Sequence, residues 1–539
     1  MATPSLAMIP SAYADSKVYS VLPNNGDGDF TFNRDSSATR VGQNGLIQTV
    51  GYFGNNLVTN GDFATDSDWT KSPTGNIANG KANYDDTSTN AMYQNGITIT
   101  AGKSYKVTFT ISNASSTAHM TIFDYANSDV LLANENWANG TYERIFTSTN
   151  NETGISIWGN TAGSSFSIDN VSLQEITGDQ PRLNYDISNG VVQSCPSLLL
   201  EPASTNLITY SESMNQYTPV NGTITANALT SPEGLLNAVK FAENSANNLH
   251  YFDSNSISVT SGTKYTISVF AKYNGRFLTF QGSGALNSAF ATFNLQNGTI
   301  EQQSVGTASI EKMPNDWYRC SIIVEMTQTG NAVMSILLND SATGGRSRSY
   351  QGDGASGIYL YGFQTEALSY ATSYIPTNGS SQTRAAETCF GAGTAATFNS
   401  IEGVFYCEIA ALSNTNSFED LSFSDGTSNN KIQFFLSGTN SITARVTAGG
   451  STQFNHSYTS SDVTQFTKYA IKYKVNDFSM YVNGVQQSVG TSGSTFSANT
   501  LNTIIINDGN ISDLEGKIRD IRVFNEALTD AQLQTLTTL

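Results

Sequence analysis

The sequence predicts an all-β protein of tandem β-sandwich or jelly-roll domains with a short C-terminal helix. Three observations predict it. Apolar and polar residues alternate over many short runs: Tyr105, Val107, Phe109 and Ile111 share one face, and Lys106, Thr108 and Thr110 the other. That period of two marks a half-buried strand. Gly and Asn turn signals recur between such runs at regular spacing, as in sandwiches and jelly rolls. The chain also repeats itself. ITITAGKSYKVTF at 97–109 and ISVTSGTKYTISV at 257–269 share a β-type run, a Gly turn and a Tyr-x-aliphatic-x-apolar strand. NNLVTNGDF at 55–63 precedes one copy as TNLITYSES at 205–213 precedes the other, and SIDNVSLQE at 167–175 matches YLYGFQTEA at 359–367. Repeats this long are duplicated domains, because solenoid periods run about 20–50 residues.

Taken in order, residues 1–54 form a turn-rich N-terminal segment with short strands, Phe30 and Phe32 alternating and Leu46-Ile47 forming an apolar pair. Residues 55–177 form the first jelly-roll module, with further strands at MTIFDY, YERIFTS, ISIWG and SFSIDNVSL. Residues 178–389 hold a bridge and then the second module, with strands at FLTFQG, AFATFNL, WYRCSIIVEM, VMSILL and GIYLYGFQTE. Residues 390–539 follow a different pattern. YAIKYKVNDFSMYVNGVQQS reads as two strands joined at Asn476-Asp477 and followed by an Asn483-Gly484 turn, the strongest short hairpin signal. In the tail, Thr529 and Gln532 make a T-x-x-Q capping box ahead of Leu533 and Leu536, which starts a helix.

Composition narrows the function classes. Of 539 residues only 13% are charged, the net charge is −18 and aromatics reach 11%. Such a polar, weakly charged, aromatic-containing chain is not of the disordered class. It lacks the basic stripe that neutralises phosphates, so no nucleic-acid partner is expected. No run of 18 apolar residues occurs, so no membrane insertion is expected. The N-terminus carries neither a basic nor a continuous apolar signal-peptide region. Cys195, Cys320, Cys389 and Cys407 are widely spaced and read as reduced thiols in strands rather than a disulfide framework. These features fit a protein assembled in a cytoplasm and released by lysis.

Catalytic and metal motifs are weak. GDGASG at 352–357 satisfies G-x-G-x-x-G but precedes a strand, which makes it a turn and not a dinucleotide site. NNGDGD at 24–29 has carboxylates at calcium-like spacing without the closing Glu, so a polar turn is the better reading. His119, His250 and His456 are isolated, and no metal or other cofactor is expected. No nucleophile elbow occurs, and no catalytic residue is assigned. Aromatic side chains are the better binding candidates, because sugar C–H faces stack on exposed rings. Trp69, Trp137 and Trp158 lie in the first module and are the candidate carbohydrate-binding residues; Trp317 starts a core strand of the second. Burial in a sandwich core is the commoner fate of each. Sugar contact is best supported for Trp69 and Trp137, in the polar segments TDSDWTKS and ANENWANGT.

Two resemblances follow from specific blocks. Gly516 to Thr529, GKIRDIRVFNEALT, together with the hairpin at 473–488, resembles the closing strands of laminin-G-like, concanavalin-A-like jelly rolls, which implies that fold for the last 150 or so residues. MIPSAYADSKVYSVLPNNGDGDFTFNRDSSATRVGQNGLIQTV, PRLNYD, CPSLLLEPASTNLITYSE and GFQTEALSYATSYIPTNGSSQTRAAE, in that order, resemble tail and other virion proteins of tailed bacteriophages. In such relatives GLIQTV and PRLNYD lie close together, so residues 55–177 are expected to be an insertion. Both repeated modules are similar to jelly-roll carbohydrate-binding modules. The resemblance implies a non-enzymatic virion component: a tail fibre, spike or receptor-binding protein that docks on other virion proteins through its N-terminal segment. It would display glycan-binding faces to host surface glycans, as a homo-oligomer of trimeric type. A capsid decoration or head-fibre protein and a glycan depolymerase are the alternatives. The inserted module, with three of the four tryptophans, is the expected sugar binder.

Overall fold

The computed structural model describes the chain except residues 1, 72–74, 85–90, 116–117, 124–129, 149, 160–164, 178, 287, 415–419, 510–513 and 539. It is all-β, with three two-sheet sandwiches and one α-helix, Asp530–Thr537, among the described residues. That helix starts at the expected capping box: Thr529 accepts from the Gln532 amide, and the Gln532 side chain accepts from the Thr529 amide. Leu533 and Leu536 are buried beneath it. No helix of the described residues is long and apolar enough to cross a membrane.

The duplication extends to single hydrogen bonds. In the first module the Asn56 side-chain oxygen accepts from the amides of Val58 and Leu173, at 3.1 and 3.0 Å. In the second, Asn206 does the same for Ile208 and Thr365, both at 3.1 Å. This is why each unit opens on Asn-Leu: a short amide side chain turns the chain and pins it to the closing strand. The Gly turns agree too. Gly102 and Gly262 have φ of 78° and 80°, values that glycine adopts without a Cβ penalty. Tyr105 and Tyr265 then accept from the amides of Thr100 and Thr260. Even the register break is shared, between Thr108 and Thr110 in one copy and Ser268 and Phe270 in the other.

The first module pairs a six-stranded sheet with a four-stranded one, and the second a seven-stranded with a six-stranded sheet. The first module leaves and rejoins the chain at adjacent points, since Phe53 pairs with Ile176 and Tyr52 with Thr177. Arg144 of its strand Gly140–Thr147 reaches the second module. It donates to the Asn227 side chain at 3.1 Å and lies 4.0 Å from the Glu212 carboxylate. Glu233 stands beside Glu212. Burial, and then the Glu212 charge, push its carboxyl up to about 8.

The third sandwich is discontinuous, which departs from the expected boundaries at 54 and 389. Its eight-stranded sheet contains Leu6–Met8, Arg182–Asn184 and Ser197–Leu200 besides the C-terminal strands. Leu6–Met8 pairs with Ile521–Val523, and Leu198–Leu200 with Gly516–Ile518, both along the strand Gly516–Phe524. The nine-stranded sheet takes Tyr13–Ala14, Lys17–Val18 and Phe30–Asn33 from the N-terminus, the last pairing with Thr388–Phe390. Leu6, Met8, Val18, Phe30, Phe32, Leu198 and Leu200 are all buried in one core with Phe405, Ile471 and Ile521. The N-terminal segment therefore supplies core strands to the C-terminal sandwich, and its alternating apolar residues are buried inside this chain. Cys320, Cys389 and Cys407 are buried in strands as expected, whereas Cys195 sits in an exposed bend.

Where the sandwich meets the second module, five charged side chains are buried together. Arg34, Arg182 and Arg384 and Glu201 and Glu387 are each no more than 4% exposed. Arg34 meets Glu387 at 2.7 Å, Arg182 meets Glu201 at 2.7 Å and binds Glu387 through two nitrogens, and Arg384 lies 3.0 Å from Glu201. Backbone groups complete the network: Arg182 donates to the Thr39 carbonyl, and the amides of Glu201 and Ser373 donate to Glu387 and Glu201. Burial alone would raise both carboxyls. Arg182 and Arg34 around Glu387, and Arg384 and Arg182 around Glu201, reverse the sign and hold both below the ordinary carboxylate range.

Glu387→Ala leaves the buried Arg34 without its carboxylate and Arg182 with only one of its two, and should cost about 3–5 kcal/mol in chemical denaturation. Because both carboxyls are depressed, their stabilisation is full above the unfolded-state value of about 4.3 and is lost as pH falls below it; denaturation midpoints measured from pH 7 to 3 should drop for the parent and change less for Glu387→Ala. Residues 388–539 produced alone should lack a cooperative melting transition, since the core strands from 6–33 and 197–200 are missing. Adding peptides that span them should restore structure, by circular dichroism.

Candidate functional site: a polar cleft between two sandwiches

The tryptophans are placed first. Trp137 is fully buried, packed edge-on against Phe109 at 4.9 Å and Tyr142 at 4.7 Å, with the Arg144 guanidinium 5.0 Å above its ring. Trp69 is 5% exposed, rests against Phe63 at 5.3 Å and donates its indole N–H to the Asn60 carbonyl at 3.1 Å. Both are core anchors of the first module, and neither offers a face for a sugar. Polar neighbours misled because the exposure of Asp66, Ser67 and Asp68 in the loop before Trp69 says nothing of a ring that points inward. Trp158 lies in the strand Glu152–Gly159, paired with Ala91 and Thr121; its side chain is outside the described residues. Trp137→Ala should lower stability by about 3–5 kcal/mol, read as a fall in melting temperature with no specific effect on ligand binding by the folded fraction.

The concave feature of the molecule lies elsewhere, between the second module and the C-terminal sandwich. It has a volume of about 870 Å³, inside the range of small-molecule and sugar sites. A hairpin of the bridge, Ile187–Ser188 with Val191–Val192, forms one side. Its turn is Asn189-Gly190, with φ of 49° and 79°, the two left-handed residues that a tight hairpin requires. The Gly190 amide donates to the Lys312 carbonyl at 3.0 Å, which ties this hairpin to the second module. The second module supplies the turn Gln296–Gly298 and the strand Thr307–Lys312. Gly298 has φ of 74°, and a Cβ there would stand 2.7 Å from the ring of Tyr318, which is buried beneath it. The sandwich supplies Thr464, Gln465 and Phe466 and, from the strand Gly516–Phe524, Lys517 and Arg519.

Charge is concentrated at the sandwich wall. Asp186 accepts from Lys517 at 2.6 Å and lies 3.5 Å from Arg519. The Arg519 guanidinium stacks 3.6 Å from the centre of the Phe466 ring, and its other edge is 3.8 Å from Glu408. Opposite stands Glu311, which water still reaches. The crowding walls raise its carboxyl; Arg319 and Lys517 pull the other way, and Asp186 adds to the rise. A second hollow of about 350 Å³ adjoins, sharing Asp186, Glu311, Gln465 and Lys517 and extending to Arg40 and Arg319. Amide side chains, carboxylates, cations and one accessible aromatic edge suit a hydroxyl-rich ligand: every hydroxyl can find both a donor and an acceptor. None of these residues was singled out in the sequence. Asp186 closes the PRLNYD block and Lys517 and Arg519 sit in the closing GKIRDIRVF strand, but 331 residues separate Asp186 from Lys517.

Comparison with known proteins bears on one part of the chain. Residues 409–534 match the model of the concanavalin A-like lectin/glucanases superfamily. That segment is a lectin-like β-sandwich in sequence as in structure, although its core also draws on strands that lie far upstream of the match. No curated protein matches the chain. Among solved structures, the N-terminal CBM22-1–CBM22-2 tandem domain of Paenibacillus barcinonensis Xyn10C aligns at 10% identity over 58% of this chain and 98% of that one, with a TM-score of 0.19. Trypanosoma rangeli sialidase, in complex with the inhibitor DANA, aligns at 10% identity over 94% and 98%, with a TM-score of 0.22.

Proposed function

We propose that this chain is a non-enzymatic glycan-binding structural protein whose binding site is the cleft between the second module and the lectin-like sandwich. The observation that carries the reading is the cleft itself: an amide- and charge-lined cavity that exists only where two sandwiches meet. The match of residues 409–534 to concanavalin A-like lectins and glucanases supports the sugar-binding part. The ordered sequence blocks that resemble virion proteins of tailed phages support a place on such a particle, as fibre, spike or receptor-binding component facing host glycans. Those blocks are also where the buried arginine–glutamate network is built, so they support a shared domain junction before they support any partner.

The test is binding of the intact protein to a panel of host surface polysaccharides, by calorimetry. The reading expects saturable binding that falls about ten-fold when Asn297 and Gln465 are both changed to Ala, each removing about one hydrogen bond of 0.5–1.5 kcal/mol. Absence of binding across the panel, or binding indifferent to those changes, would remove the cleft as the site. Release of new reducing ends from any bound polysaccharide would overturn the non-enzymatic part. Antibody labelling of particles in the electron microscope tests the virion assignment.

A further inference from the structure

The cleft's charges specify its ligand more narrowly than its amides do. The chain as a whole is strongly acidic, with a net charge of −18. Yet five cations line the two adjoining hollows: Lys312, Lys517, Arg519, Arg319 and Arg40. Four carboxylates face them: Asp186 and Glu311 within the cleft, Glu201 in the adjoining hollow and Glu408 behind Arg519. One positive charge is left in excess. Arg519 is held only by long ionic contacts. Its two ionic partners stand at 3.5 and 3.8 Å, beyond the 2.7–2.9 Å or so of a charge-assisted hydrogen bond, and its Nε–H has no hydrogen-bond partner among the described residues. Phe466 holds the guanidinium flat, and a fixed planar fork is the group that binds carboxylates two-pronged.

Resting on the glycan-binding reading above, we propose that the cleft selects an acidic saccharide, with the carboxylate of a hexuronate unit held by Arg519 and Lys517. The single excess charge suits a monoanion; a dianionic phosphate or a multiply sulfated unit would meet Asp186 and Glu311 as repulsive neighbours. Asp186 then acts as a resident competitor. It keeps Lys517 and Arg519 in place while the site is empty and shares them with the incoming carboxylate. Asn297 and Gln465, on opposite walls, are left for the hydroxyls.

The experiment titrates the full chain with three probes of equal length: a galacturonate tetramer, a neutral galactose tetramer and a sulfated galactose tetramer. The galacturonate tetramer should bind tightest. Arg519→Gln and Lys517→Gln should each weaken it on the order of ten-fold, with melting temperature measured alongside, while Asp186→Asn should strengthen it several-fold. That gain cannot arise from a misfolded variant. Tighter binding of the neutral or sulfated probe, or no gain in Asp186→Asn, would overturn the acidic-ligand proposal while leaving the glycan-binding reading standing. Failure of all three probes together with the polysaccharide panel would overturn both.

Discussion

The five-membered ionic network of Arg34, Arg182, Arg384, Glu201 and Glu387 is the constraint on which the arrangement of the molecule depends. Its members come from stretches that lie far apart in the chain. Arg34 follows an N-terminal strand of the C-terminal sandwich, Arg182 and Glu201 flank the bridge, and Arg384 and Glu387 connect the second module back to the sandwich. Charges removed from water are tolerable only when fully paired and hydrogen-bonded, so the network permits one relative position of these segments. A hydrophobic contact of the same area would permit sliding. That fixed position holds the bridge hairpin, the strand Thr307–Lys312 and the strand Gly516–Phe524 around a common cavity.

The ordered sequence blocks acquire a physical meaning from this geometry. SSATRV, PRLNYD, LLLEPAS and SQTRAAE are the segments that carry or abut the network: the Thr39 carbonyl, Arg182, Glu201, Arg384 and Glu387 all belong to them. Their order along the chain is the order in which the path passes through the junction. The first module enters and leaves this path at Tyr52-Phe53 and Ile176-Thr177, outside the network.

Local chemistry was legible in the sequence and long-range assembly was not. Alternation located the strand Ser104–Ser112, the Asn-Leu openings and Gly turns matched the two modules bond for bond, and Thr529 and Gln532 marked the helix start. Each of those signals acts over a few residues. The pairing of Leu6–Met8 with Ile521–Val523 spans more than 500 positions and leaves no local trace beyond an apolar run. Trp69 was misjudged because exposed polar neighbours in a loop do not report on the direction of the ring itself. The cleft was invisible for the same reason as the pairing: Asp186, Glu311 and Lys517 are unremarkable until folding brings them together.

The split sandwich also sets an order of events during synthesis. Each repeated module is built from contiguous sequence and can collapse as soon as it leaves the ribosome, domain by domain. The strand Leu6–Met8 must wait, since the strand it pairs with is made last. Until then Leu6, Met8, Phe30 and Phe32 are apolar side chains without a core, on segments that must avoid pairing with one another or with a neighbouring nascent chain. The entropic cost of closing so long a loop is reduced once the two modules between its ends have folded and shortened the span. The duplicated module thus has a second use as a compact spacer that brings the first and last strands within reach, and a chain cut short anywhere before Gly516 would have no finished cleft to show a ligand.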